Sequence, residues 1–179
     1  MRVLRIVLCA ALTSGASAQC PKNPEISQEL EQAYRTLKFA KFPRDAQAAT
    51  DVLWRLWTRA PDNRAQRMLN RGMMNLRLGD LAAAEGLLTA LIEYCPNYAE
   101  GYNQRAFARY LAGNFQGALP DLLRTLSIQP RHLGALSGKG LTHLALGQSE
   151  LAAIEFQKEL ALNPFTADRD LIPNLGTDL

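Results

Sequence analysis

The segment AQRMLNRGMMNLRLGDLAAAEGLLTALIEYCPNY, residues 65–98, contains two helical patterns separated by helix breakers. The first runs from about Ala65 to Leu78 and stops at Gly79, which can take the left-handed conformation that closes a helix. Asp80 can cap the second, which runs to about Tyr94, and Pro96 prevents its continuation. Gly72 and Ala84 fall on the facing sides, where a missing side chain lets the two backbones approach, while Leu88 and Ile92 supply a buried stripe at i, i+4. One unit therefore reads helix, turn, helix, turn.

The same unit returns twice. Pro96, Pro130 and Pro164 are spaced by 34 residues, as are Gly79, Gly113 and Gly147. The small positions Gly72, Ala106 and Gly140, and Ala84, Ala118 and Ala152, keep that spacing, and so do the bulky series Leu88, Leu122, Phe156 and Ile92, Leu126, Leu160. In these slots, and in the strings Asn70-Arg71-Gly72, Leu78-Gly79-Asp80 and Leu162-Asn163-Pro164, the chain resembles the tetratricopeptide repeat (TPR) family over residues Ala65 to Pro164. The resemblance implies an all-α fold, a right-handed TPR solenoid of antiparallel helix pairs, with repeats at 65–98, 99–132 and 133–166.

Outside these three units the pattern weakens. Residues 26–64 read as a degenerate N-terminal repeat or helical cap: Ala49, Leu53 and Trp57 occupy the second-helix slots and Pro61 ends the unit. The offset to the next unit is 35, however, and Leu37 stands where a small residue is expected. Trp54 and Trp57 read as core, because leucines flank them at helical spacing and no basic stripe accompanies them for base stacking. Leu91, Thr125 and Glu159 stand where the family usually has a small residue, and Pro120 predicts a kink in its helix. The tail 167–179 is too broken for a capping helix, so Phe156, Leu160 and Phe165 are expected to pack against the tail or a second copy.

Residues 1–18 read as a signal peptide. Arg2 and Arg5 precede the apolar run from Ile6 to Leu12, and Ala16-Ser17-Ala18 offers a cleavage site between Ala18 and Gln19, followed by an extended segment at 19–25. An exported product is expected, periplasmic first and secreted as the alternative. Cleavage leaves 18 basic and 17 acidic residues, a net charge of +1 that gives little pull on nucleic acid. No run is long enough to span a bilayer. Cys20 and Cys95 then remain, either bridged across a long loop or free, with Cys95 buried.

No nucleophile elbow, phosphate loop or zinc helix is visible, so no enzyme activity, metal or cofactor is expected. His132 and His143 read as surface or packing residues without partners, and Glu85, Glu93, Asp121 and Glu155 as solvated charges on the second helices. The family resemblance places first helices along a concave groove. Carried over slot by slot, the partner-binding candidates are Asn70, Met73, Arg77, Asn103, Gln104, Phe107, Tyr110, Leu141 and Leu144. Members that clamp the carboxylate tail of heat-shock chaperones use Lys and Asn where this chain has Leu69 and Met73, which argues against that ligand. Arg71, Arg105 and Lys139 form either a basic stripe facing an acidic peptide or part of the scaffold. The expected function is a non-enzymatic adaptor of the cell envelope that binds a protein partner in the groove. A homo-oligomer formed through the C-terminal end is the alternative, and an enzyme with an unrecognised groove site is a distant third.

Overall fold

A computed structural model describes residues 19–172; residues 1–18, read above as a signal peptide ending at Ala18, and residues 173–179 lie outside the described residues. The described residues form eight α-helices and no strand: α1 (Ser27–Lys38), α2 (Pro43–Trp57), α3 (Asn63–Leu78), α4 (Leu81–Tyr94), α5 (Ala99–Leu111), α6 (Phe115–Ile128), α7 (Leu133–Ala145) and α8 (Ser149–Leu162). A short 3-10 turn at Ala167–Leu171 follows. The pairs α3/α4, α5/α6 and α7/α8 stack in chain order, and α5 also touches α3 and α7.

The local chemistry sets these boundaries. Gly79, Gly113 and Gly147 have φ of 77°, 76° and 72°, a left-handed conformation that costs other residues energy. Asp62, Asp80 and Asn114 accept the backbone N–H three residues on, from Ala65, Ala83 and Gly117 respectively, and so cap α3, α4 and α6. The small slots are tight: a methyl on Gly72 would lie 2.9 Å from Leu88, and one on Gly140 2.3 Å from Phe156. The helix expected to kink at Pro120 is continuous from Phe115 to Ile128. Pro120 sits at its sixth position on the exposed face, where the carbonyl it leaves unpaired can reach water.

The N-terminal helix pair is seated differently from the three repeats. α2 does not pack along α3; instead α1 and α2 lie across the turns that join one repeat to the next. Trp57 stacks on His132 with ring centroids 3.9 Å apart, and Tyr98 Oη donates to the Trp57 carbonyl at 2.9 Å. Tyr34 Oη donates to the Arg131 carbonyl at 2.6 Å, and Arg131 pairs with Glu31 at 2.6 Å. Two properties of the segment explain this seat. The extra residue before α3 breaks the 34-residue phase, and Leu37, fully buried, fills the place where close stacking needs a small side chain. The C-terminal end is covered from within, since Phe156 is buried and Leu162 and Phe165 pack on the α1/α2 core. The extended segment from Gln19 is fastened at Cys20, bonded to Cys95 with Cα atoms 5.1 Å apart, and by Asn23 donating to the Asn97 carbonyl at 2.7 Å.

Candidate functional site

Helical periodicity on α3, α5 and α7 brings one face of each helix to a common cleft. Met73 and Leu76, Phe107 and Tyr110, and Leu141 face a cavity of about 650 Å³. Of the nine groove candidates, Met73, Arg77, Asn103, Gln104, Phe107, Tyr110 and Leu141 line it. Asn70 and Leu144 do not: Asn70 is exposed and accepts from the Gln66 amide at 3.0 Å, and Leu144 is half-buried outside the lining. A more open depression of about 840 Å³ surrounds the disulfide, where Met68 and Tyr94 are interspersed with Lys22, Asn23, Arg64, Glu93 and Asn97, so its walls lack the mostly apolar lining of the cleft.

The structure adds residues that the sequence did not indicate, chiefly Trp54. It arrives from α2 because the hairpin crosses the repeat turns, and its indole lies over Gly134, where a methyl would come within 2.8 Å of Cη2. Only the seat of the hairpin reveals this wall, and no spacing in the chain encodes it. Leu122, Gly138 and Thr142 also contribute, the first from a second helix. Leu69, which shares a groove row with Asn103 and Ser137, is instead fully buried in the core.

A polar network lies beneath the groove. Glu100, fully buried, accepts from Gln104 Nε2 at 2.6 Å and from Asn103 Nδ2 at 3.3 Å, and meets His132 Nε2 at 2.9 Å. His132 Nδ1 accepts the Ala135 N–H at 3.2 Å, so that nitrogen carries a lone pair and Nε2–H donates to Glu100. His132 therefore has partners, unlike its sequence reading, and so does His143, whose Nδ1 donates to Gln148 Oε1 at 2.7 Å. Burial, joined by the Glu100 charge, pushes the Tyr98 phenol well above its ordinary range, so it stays a donor to the hairpin. With both amide nitrogens held by Glu100, no protein donor among the described residues meets Asn103 Oδ1 or Gln104 Oε1. Those acceptors suit the N–H groups of an extended peptide.

Two carboxylates read as solvated are interior. Asp121, 3% exposed, takes a two-pronged contact from Arg105 at 2.7 and 2.8 Å and a third from Arg109 at 3.0 Å. Glu155, 5% exposed, receives Lys139 at 3.0 Å and Lys158 at 2.9 Å. Burial alone would raise the Glu155 pKa, but the two ammonium groups outweigh it and hold the carboxyl below its ordinary range. Arg105 and Lys139 thus serve the scaffold, each bonded to the residue sixteen positions on, while the matching slot for the exposed Arg71 is Leu87. No group of three His, Cys, Asp or Glu suited to a metal occurs among the described residues.

No family model matches the chain. A TPR repeat-containing protein of Rhizobium etli is 28% identical over 142 residues, covering 79% of this chain and 69% of that protein. Tetratricopeptide repeat protein 36 of Bos taurus is 35% identical over 98 residues, covering 52% of each chain, so about half of that relative's length is spanned. Among solved structures, the MamA RS-1 ArsTM double mutant superposes with a TM-score of 0.53 over 80% of this chain and 78% of its own; at 19% identity this likeness speaks for the fold alone.

Proposed function

This chain is a tetratricopeptide-repeat protein, an all-helical repeat scaffold for protein interaction, and from that premise we propose that it acts in the cell envelope by holding an extended, largely apolar segment of a partner protein in its groove. The observation that carries the reading is the convergence of Met73, Phe107, Tyr110, Leu141 and Trp54 around two unengaged amide oxygens. Apolar walls supply the affinity, and Asn103 Oδ1 and Gln104 Oε1 fix the register of a bound backbone. Arg77, the charged group at the rim, favours an acidic residue at one end of the segment.

Export supports the same reading, because residues 1–18 carry a leader pattern and the Cys20–Cys95 bond suits an oxidising compartment. Panning a displayed peptide library against the oxidised protein tests the groove. Segments with two or more bulky apolar residues are expected, with affinity reduced about tenfold or more by Phe107→Ala/Tyr110→Ala while helicity is kept. Peptides that bind the double variant unchanged would place the binding surface elsewhere.

A further inference from the structure

The turn between α1 and α2 carries the sequence Lys38-Phe39-Ala40-Lys41-Phe42-Pro43-Arg44, and its burial pattern is unusual for an apolar pair. Phe39 is 72% exposed and Phe42 54%, although Ala40 between them packs on the hairpin core. Arg35, Lys38, Lys41 and Arg44, all exposed, surround them. No acid lies between Arg35 and Arg44; the next residue, Asp45, is paired with Arg44 at 3.6 Å. The Arg44 guanidinium rests 5.4 Å from the centre of the Phe42 ring. The chain carries a net charge of only +3, so four cations without an acid among them are a local concentration.

We propose that this tip is a peripheral membrane anchor. Phe39 and Phe42 enter the boundary between headgroups and acyl chains of an anionic bilayer, and Arg35, Lys38, Lys41 and Arg44 meet the lipid phosphates. Three features favour a lipid surface over an acidic protein. Neither phenylalanine lines the groove, the depression at the disulfide or the two smaller recesses on the flanks of the α1/α2 pair, so both rings stand on open surface. Aromatic and cationic residues alternate, which matches an interface with an apolar layer directly beneath a negative one. The tip is also held on a rigid pair of helices, so presenting its rings requires little ordering of the chain. No helix among the described residues is long and apolar enough to cross a membrane, and a surface anchor needs none. The proposal is independent of the groove, and it would place the cleft near a membrane.

Vesicle co-sedimentation of the oxidised whole chain tests this, with phosphatidylcholine alone and mixed with phosphatidylglycerol. Binding is expected only to the mixed vesicles and should weaken as salt is raised. Phe39→Ser/Phe42→Ser should lower it at least about tenfold, and Lys38→Gln/Lys41→Gln/Arg44→Gln by about fivefold for each cation removed, with unchanged circular dichroism in both. Because residues 1–18 are themselves apolar, Phe42→Trp provides a local readout: its added emission should be quenched by acyl-brominated lipid beyond the quenching of the parent. Equal binding to neutral vesicles, equal binding by the variants, or quenching no greater than the parent's would overturn the proposal. Absence of vesicle binding together with a self-association lost in Phe39→Ser/Phe42→Ser would overturn it too, and assign the tip to a second copy of the chain.

Discussion

At Gly140, the position where a methyl would lie 2.3 Å from the Phe156 ring, the repeat depends on a missing side chain. Neither neighbour can move cheaply, because Phe156 is fully buried and α7 is held against α8. Gly140→Ala should therefore lower stability by about 1–3 kcal/mol. Gly86, exposed within α4 and with no atom near its missing methyl, should respond the other way, Gly86→Ala gaining up to about 1 kcal/mol. Chemical denaturation of the pair measures both, and two changes of the same sign would contradict the packing account. Glu159 raises a different question at the same scale. Burial, reinforced by Asp168, pushes its carboxyl up to about 8 although Thr166 donates to it, and Oε2 has no partner. The folded state thus holds a proton that the unfolded chain releases near its ordinary 4.5. This stability is present below about pH 4.5 and is lost as pH rises through about 8. Glu159→Gln should flatten that slope, removing a loss on the order of 2–4 kcal/mol between those limits. A slope unchanged in the variant would show that other groups produce it.

Among the elements, the extended N-terminal segment is fastened chiefly by the Cys20–Cys95 bond and by Asn23 on the Asn97 carbonyl. The Cys20–Cys95 bond spans a separation of 75 residues, and in the chain-entropy model such a link stabilises by about 4 kcal/mol. Reduction, or Cys20→Ser/Cys95→Ser, is expected to lower the denaturant midpoint accordingly and to speed amide exchange first in residues 19–26. A midpoint unaffected by reduction would mean that the bond constrains little. The repeats were the most legible elements, because breakers and small residues act locally: Gly79, Asp80 and Pro96 state their roles within a turn or two of where they sit. The seat of α1/α2 was illegible, since it depends on Tyr34, Trp57, Tyr98 and His132 meeting across separations that no periodicity reports. The ion pairs failed for a related reason. Asp121 and Glu155 occupy positions that face water on an isolated helix, and only packing against α5 and α7 brings Arg105 and Lys139 over them.

For the whole molecule, slot-by-slot transfer located most of the cleft, because the family geometry fixes which face of α3, α5 and α7 turns inward. It missed the wall made by Trp54, which follows from where the hairpin is seated, and it did not indicate that Glu100 occupies the amide nitrogens of Asn103 and Gln104. The cleft that results is apolar along its length and polar at its floor, enclosed by three repeats and one transverse helix. The most direct test is site-specific photo-crosslinking in the native host, with a photoreactive residue at Phe107 in the cleft and, in a parallel strain, at Leu123, an exposed position on a second helix outside the cleft. The account expects one discrete adduct with a partner protein from position 107 that is absent from position 123; the same adducts from both, or none from position 107, would contradict it.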